Sequence, residues 1–127
     1  MKPSEALHYV SCLLWYDGPQ ITVERFDDGT PCLVFEDYNS HRAGGQLAIP
    51  KTVIPTTEEI LDAMCAGFIS EREVIFGSSE TIWQVREVHE GGKIAGWFDW
   101  TPMKPTDLDW DIPSDTFLTI EGDWRRP

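Results

Sequence analysis

The sequence predicts an α+β fold. The expectation is a mainly antiparallel twisted sheet of about five to seven strands with one main amphipathic helix and a short second one. Three observations lead there. The first half alternates apolar and polar residues between Asp/Gly turns, one capped stretch near its middle recurs at helical spacing, and the alternation then returns.

Residues Leu7–Tyr16 are rich in strand formers and end at Asp17-Gly18-Pro19, a turn cluster. Gln20–Phe26 and Thr30–Tyr38 flank Asp27-Asp28-Gly29 as a hairpin. A two-residue Asp28-Gly29 turn would set Ile21 against Glu36 and Arg25 against Cys32. A three-residue loop with Gly29 left-handed sets Val23 against Leu33 and Ile21 against Phe35. Matched apolar cross-strand pairs contribute a few tenths to about 1 kcal/mol each, which favours the longer loop.

Asn39–Gln46 reads as a polar loop. Leu47–Ile49 and Thr52–Ile54 read as short strands, confined to an edge or a bend by Pro50 and Pro55, which cannot donate to a ladder. Thr56 with Glu59 forms a capping-box pattern, and Ile60, Leu61, Met64, Cys65 and Phe68 follow at helical spacing before a stop at Gly67. The main helix is therefore expected over about 57–66. Ser70 with Glu73 repeats the cap before Val74-Ile75-Phe76 and Gly77, a second short helix. Thr81–His89 alternates, with Ile82, Gln84, Arg86 and Val88 on one face and Trp83, Val85, Glu87 and His89 on the other. Gly91-Gly92 is a hairpin turn to a partner strand, Lys93–Trp100, and residues 101–116 form an irregular acidic arm broken by prolines. Phe117–Glu121 is a last short strand.

The 127 residues fit a single domain, 1–127. Apolar residues make up 41% of the chain, too many for a disordered one. Acids outnumber bases 22 to 10, for a net charge of −12. The excess is spread: 7 acids against 4 bases over residues 1–57, 8 against 3 over 58–96, and 7 against 3 over 97–127. Such a field repels phosphates and anionic lipid, so neither direct nucleic-acid binding nor membrane binding is expected, and it speeds encounter with basic partners. Cys12, Cys32 and Cys65 are unpaired in number and set among apolar neighbours, as in a reducing compartment. With no secretory signal before Ala6, the expected location is cytoplasmic.

Local motifs for chemistry are missing. Asp107-x-Asp109-x-Asp111 opens like a calcium loop, but Ile112 replaces its turn glycine, Pro113 follows, and Leu118 stands where a bidentate Glu belongs. His8, His41 and His89 lack ligand spacing, no Gly-x-Ser-x-Gly elbow occurs, and the glycine pairs lack the lysine of a phosphate loop. No cofactor, metal or catalytic set is predicted. Trp97, Trp100, Trp110 and Trp124, in contrast, lie among many acids. Tryptophan supplies buried area and carboxylates supply steering at a surface that docks a basic patch. The candidate partner-binding residues are Trp97, Asp99, Trp100, Asp107, Asp109, Trp110, Asp111 and Asp115. Alternatively, these rings lid one end of the sheet.

Tyr16-Asp17-Gly18-Pro19, Asp28-Gly29, the run Ala66-Gly67-Phe68-Ile69-Ser70-Glu71-Arg72-Glu73, Trp83, and an acidic run ending near Phe117-Leu118 occur in an order that resembles a family of small bacterial proteins of unknown function. The resemblance spans roughly residues 13–121 and departs from the family at the long arm around Asp107–Asp111. It implies a bacterial or phage cytoplasmic protein of one domain, and supplies no catalytic residues.

The function expected is that of a non-enzymatic interaction protein of immunity, antitoxin or phage-inhibitor type. It would occupy a basic protein surface, such as that of a nucleic-acid-handling enzyme. The alternatives are a small hydrolase using dispersed carboxylates or a recruited divalent metal, and a structural module whose tryptophans join subunits, as in a dimer.

Overall fold

Alternation over short, turn-bounded runs produces, among the described residues, seven strands, all paired antiparallel in one sheet. The computed structural model describes residues 2–15, 19–36, 41–43, 46–77, 80–107 and 124–125. The elements run β1 (His8–Trp15), β2 (Pro19–Arg25), β3 (Pro31–Glu36), β4 (His41–Ala43), β5 (Gln46–Pro55), α1 (Glu58–Cys65), α2 (Glu71–Phe76), β6 (Ile82–Glu90) and β7 (Lys93–Met103). Spatially the order is β1-β2-β3-β5-β6-β7, with the short β4 beside the first residues of β5. The fold is α+β, as the sequence predicts.

The β2–β3 hairpin adopts the apolar register: Ile21 faces Phe35 and Val23 faces Leu33. Its loop closes through Gly29 at φ 90°, a left-handed conformation that costs a Cβ-free residue little. The β6–β7 turn likewise uses Gly91 and Gly92, both at positive φ.

Several boundaries differ from expectation. Leu47–Ile49 and Thr52–Ile54 are one strand, β5, and it lies inside the sheet between β3 and β6. Around Pro50 the strand changes neighbours: its pairing with β4 ends at Ala48 and that with β3 begins at Lys51, and among the described residues Ile49 and Pro50 have no partner on that side. The expected loop Asn39–Gln46 contains β4. The main helix is capped by Thr57, whose hydroxyl accepts from the Ile60 amide, instead of by Thr56. Thr56 is held one step earlier because its amide donates to Pro31 O and prolongs the β3–β5 ladder. The α2 capping box between Ser70 and Glu73 forms on both sides as predicted. β7 runs past Trp100 to Met103, and a single 3-10 turn, Pro105–Asp107, follows, so residues 101–103 and 105–107 of the expected irregular arm are regular. The expected strand Phe117–Glu121 lies outside the described residues.

Opposite faces of the sheet carry two cores. On the helix side, Ile21, Val23, Leu33, Phe35 and Ile54 pack with Leu61, Met64, Val74 and Ile75 of the two helices and with Ile82. Trp124 completes this core with 1% exposure. Its indole N–H donates to Asp62 Oδ1 at 2.7 Å, and the Arg125 guanidinium lies 4.3 Å from its ring. On the other face, Cys32, Val34, Val53 and Val85 pack with Leu7 and Phe26, flanked by Trp83, Trp97 and Trp100. The helical stripe is narrower than its spacing suggests. Leu61 and Met64 are buried, whereas Ile60 is exposed and Phe68, just past the left-handed Gly67, is 82% exposed.

Candidate functional site

Strand parity, reset by a bulge between Phe98 and Thr101, decides where the predicted partner-binding residues go. Trp97 and Trp100 fall on the second-core face and are half-buried there. Trp100 stands edge-on to both Phe26 and Trp83, each with ring centroids 6.4 Å away. The Trp97 indole N–H donates to Glu87 Oε2 at 3.1 Å. Asp99 is exposed and ion-paired to Arg86 at 2.7 Å. It occupies the left-handed position of a bulge, φ 60°, which lets β7 pass two residues where β6 passes one. Asp107 is exposed, and its carboxylate accepts from the Lys104 amide to close the 3-10 turn. Asp109, Trp110, Asp111 and Asp115 lie outside the described residues.

The same face carries a charged cluster that no local spacing in the sequence marks. Glu24, Lys51 and Glu87 are buried, with Glu36 and His89 at its half-buried margin. Lys51 is opposite Val85 and Glu87 opposite Ile49, one row apart on neighbouring strands, so their side chains meet diagonally. Lys51 Nζ lies 2.9 Å from Glu87 Oε2, and His89 Nε2 lies 2.6 Å from Glu87 Oε1. With Trp97, Glu87 gathers three donors. Glu24 accepts from the Thr22 hydroxyl at 2.8 Å. The only legible sign was charged residues at the same strand parity as the apolar ones, as in Val85-x-Glu87-x-His89.

The electrostatics assign different roles within the cluster. Burial opposes charge on Glu87, but Lys51 and His89 outweigh it and lower its pKa. Burial also opposes charge on Lys51, yet the surrounding Glu24, Glu87 and Glu36 raise its pKa, so it stays an ammonium. That rules against a nucleophilic amine at Lys51. Burial raises the pKa of both Glu24 and Glu36 against the pull of Lys51. Glu36, reached by solvent, is the member best placed to exchange a proton.

The helix side offers a different surface. Phe68 (82% exposed), Phe76 (49%) and Ile60 (36%) project outward from the helical layer. Glu58, Glu59, Asp62 and Glu73 are exposed on the same two helices, neither of which has a basic residue in its last turn. Arg72 lies over the Phe76 ring at 5.1 Å, and Arg25 and Arg125 engage Glu58. Beside the start of α1 runs a groove of about 540 Å³, lined by Phe26, Ile60 and Trp83 among others.

Among the described residues, no group of three or more His, Cys, Asp or Glu is arranged to hold a metal ion, and no helix is long and apolar enough to cross a membrane. Cys32 is buried and its thiol pKa is raised by burial; Cys12 and Cys65 are half-buried. No family model matches the chain, and neither do curated proteins or solved structures.

Proposed function

We propose that this chain is an interaction protein that docks a basic surface of a protein partner through its helical layer. The observation that carries the reading is the exposure of Phe68 and Phe76 beside acidic helices, in a molecule of net charge −12. Apolar rings that stand in water without covering a core gain by being covered, and aromatic side chains are the usual anchors of interfaces. The surrounding carboxylates, with Asp99 and Asp107 adding to the field, would steer a cationic surface toward them. An inhibitor or immunity protein acting on a nucleic-acid-handling enzyme fits this description, because such an enzyme presents a basic surface. The reading is tested by affinity capture with the intact chain and with a Phe68→Ser/Phe76→Ser variant. Support is a partner whose direct titration weakens with salt and fails with the variant; equal titration of both proteins would overturn it.

A second reading, a small hydrolase using dispersed carboxylates, is favoured by Glu36, whose pKa is raised by burial beside Lys51 and Glu87. It requires esterase activity that disappears in Glu36→Gln while the fold persists. Turnover of 4-nitrophenyl acetate that is unchanged in that variant rules it out.

A further inference from the structure

We infer that the outer edge of β7 pairs antiparallel with the β7 of a second copy of this chain, about a two-fold axis at Trp97. The inference is independent of the docking reading and draws on different residues.

β7 ends the sheet. Among the described residues no strand lies beyond it, so the eleven residues Lys93–Met103 present an unpaired edge. Such a row of amides and carbonyls is a template for another strand. The edge also carries apolar groups on both faces, with Ile94 48% exposed and Phe98 47%. Ile94 stands opposite His89 and shares the second-core face with Trp97 and Trp100. Phe98 stands opposite Arg86, on the other face with Gly96. Its ring lies across that glycine, where an added Cβ would come within 3.0 Å of it.

Face alternation selects one symmetric register, because residues opposed across an antiparallel pair share a face. With Gly96 on the axis, Ile94 would oppose Phe98 of the second copy, from different faces. With Phe98 on the axis, Gly96 would oppose Trp100, again from different faces. With Trp97 on the axis, Trp97 meets Trp97, Ile94 meets Trp100 and Gly96 meets Phe98, each pair on a common face. Bulges ordinarily blunt an edge. Those of β7 leave Ala95 and Asp99 as the extra residues, two places to either side of Trp97. In this register each bulge therefore meets the other, and pairing resumes beyond them. The run from Lys93 to Thr101 also ends symmetrically, at the Gly91-Gly92 turn on one side and at Pro102 on the other.

Charge favours a second copy over a basic partner at this edge. In a chain of net charge −12, the run holds one base, Lys93, and one acid, Asp99. Lys93 falls opposite Thr101 of the second copy and diagonal to its Asp99, so the two-fold axis makes two complementary pairs.

The test is sedimentation equilibrium of the full chain over a concentration series, in about 0.5 M salt to screen the repulsion between acidic copies. A reversible dimer is expected. Ile94→Lys/Phe98→Lys alters two exposed positions; it should stay folded by circular dichroism and raise the dimer dissociation constant about tenfold or more. Phe68→Ser/Phe76→Ser should dimerise as the intact chain does. The register is read from an equimolar mixture of isotope-labelled and unlabelled chain, as a filtered nuclear Overhauser effect between the Ile94 methyls and the Trp100 indole. Within one strand these side chains stand roughly 20 Å apart, so the signal arises only between copies. A monomer at every concentration, an undiminished dimer in Ile94→Lys/Phe98→Lys, loss of the dimer in Phe68→Ser/Phe76→Ser, or a dimer without the Ile94–Trp100 signal would each overturn the inference.

Discussion

Lys51 sits among Glu24, Glu36 and Glu87, so removing its charge strands carboxylates inside the sheet. Lys51→Met is predicted to destabilise the fold by about 3–5 kcal/mol in chemical denaturation, and a Lys51→Met/Glu87→Leu double variant to recover much of that loss. The two buried glutamates should behave differently. Glu87 has a lowered pKa, so it contributes stability above its unfolded value that fades as pH falls through its folded one. Glu24 has a raised pKa, so its contribution is present below its unfolded value and fades as pH rises through the folded one. At neutral pH, Glu87→Gln should therefore cost more than Glu24→Gln in parallel denaturation curves. Asp27 gives a third, acid-side signature. Its carboxylate accepts from His8 at 2.7 Å and from the Glu5 amide at 2.9 Å, tying residues before β1 to the hairpin tip. These bonds hold its pKa at about 2, against an ordinary value of 3.8. The contribution is complete above the ordinary value and is lost as pH falls toward 2. Asp27→Asn should lower stability throughout the range above the ordinary value and flatten the profile between that value and pH 2.

At the scale of elements, the helix ends and the bulge carry the strongest local demands. Gly67 stands at φ 83° after the α1 cap, its amide donating to Met64 O while the Phe68 amide donates to Ala63 O, the two bonds of a Schellman stop. Gly67→Ala meets no neighbouring atom but must hold that left-handed φ, at a cost of about 1 kcal/mol. Asp99 at φ 60° is the one non-glycine residue with positive φ among those described. Asp99→Val should cost about 1–2 kcal/mol, whereas Asp99→Gly gains backbone ease and loses a surface ion pair, leaving stability nearly level in thermal melts. These elements also mark what the sequence could tell. The β2–β3 register was legible because only one loop length matches apolar residues across the hairpin, and α2 was legible because Ser70 and Glu73 satisfy each other's backbones. Pro50 misled because its tolerance depends on which strand lies beside it, a tertiary fact. The Thr57 cap was hidden for the same reason: the β3 ladder, absent from local sequence, draws Thr56 into extended pairing.

Over the whole molecule, charge was readable and its placement was not. Composition gives the net charge of −12 directly. Which aromatic residues stand in that field depends on strand parity and on where a helix stops. Parity and the bulge at Asp99 turned Trp97 and Trp100 onto the second core, and the Gly67 stop turned Phe68 out of the helical stripe. Glu24, Lys51 and Glu87 come from three different strands, so no local spacing announces their meeting. Trp124 shows the same limit from the far end of the chain. Its burial against the helix-side core and its hydrogen bond to Asp62 tie Trp124 to α1, and Trp124→Ala is expected to cost about 3–5 kcal/mol. Docking of a basic partner by an acidic helical layer through exposed phenylalanines is tested by the association rate constant of the captured partner across a salt series, measured with the intact chain and with Phe68→Ser/Phe76→Ser. The rate for the intact chain is expected to fall as salt rises. The variant is expected to stay folded and to associate at a similar rate but dissociate much faster. A salt-independent association rate, or an unchanged complex lifetime in the variant, would rule out docking by this surface.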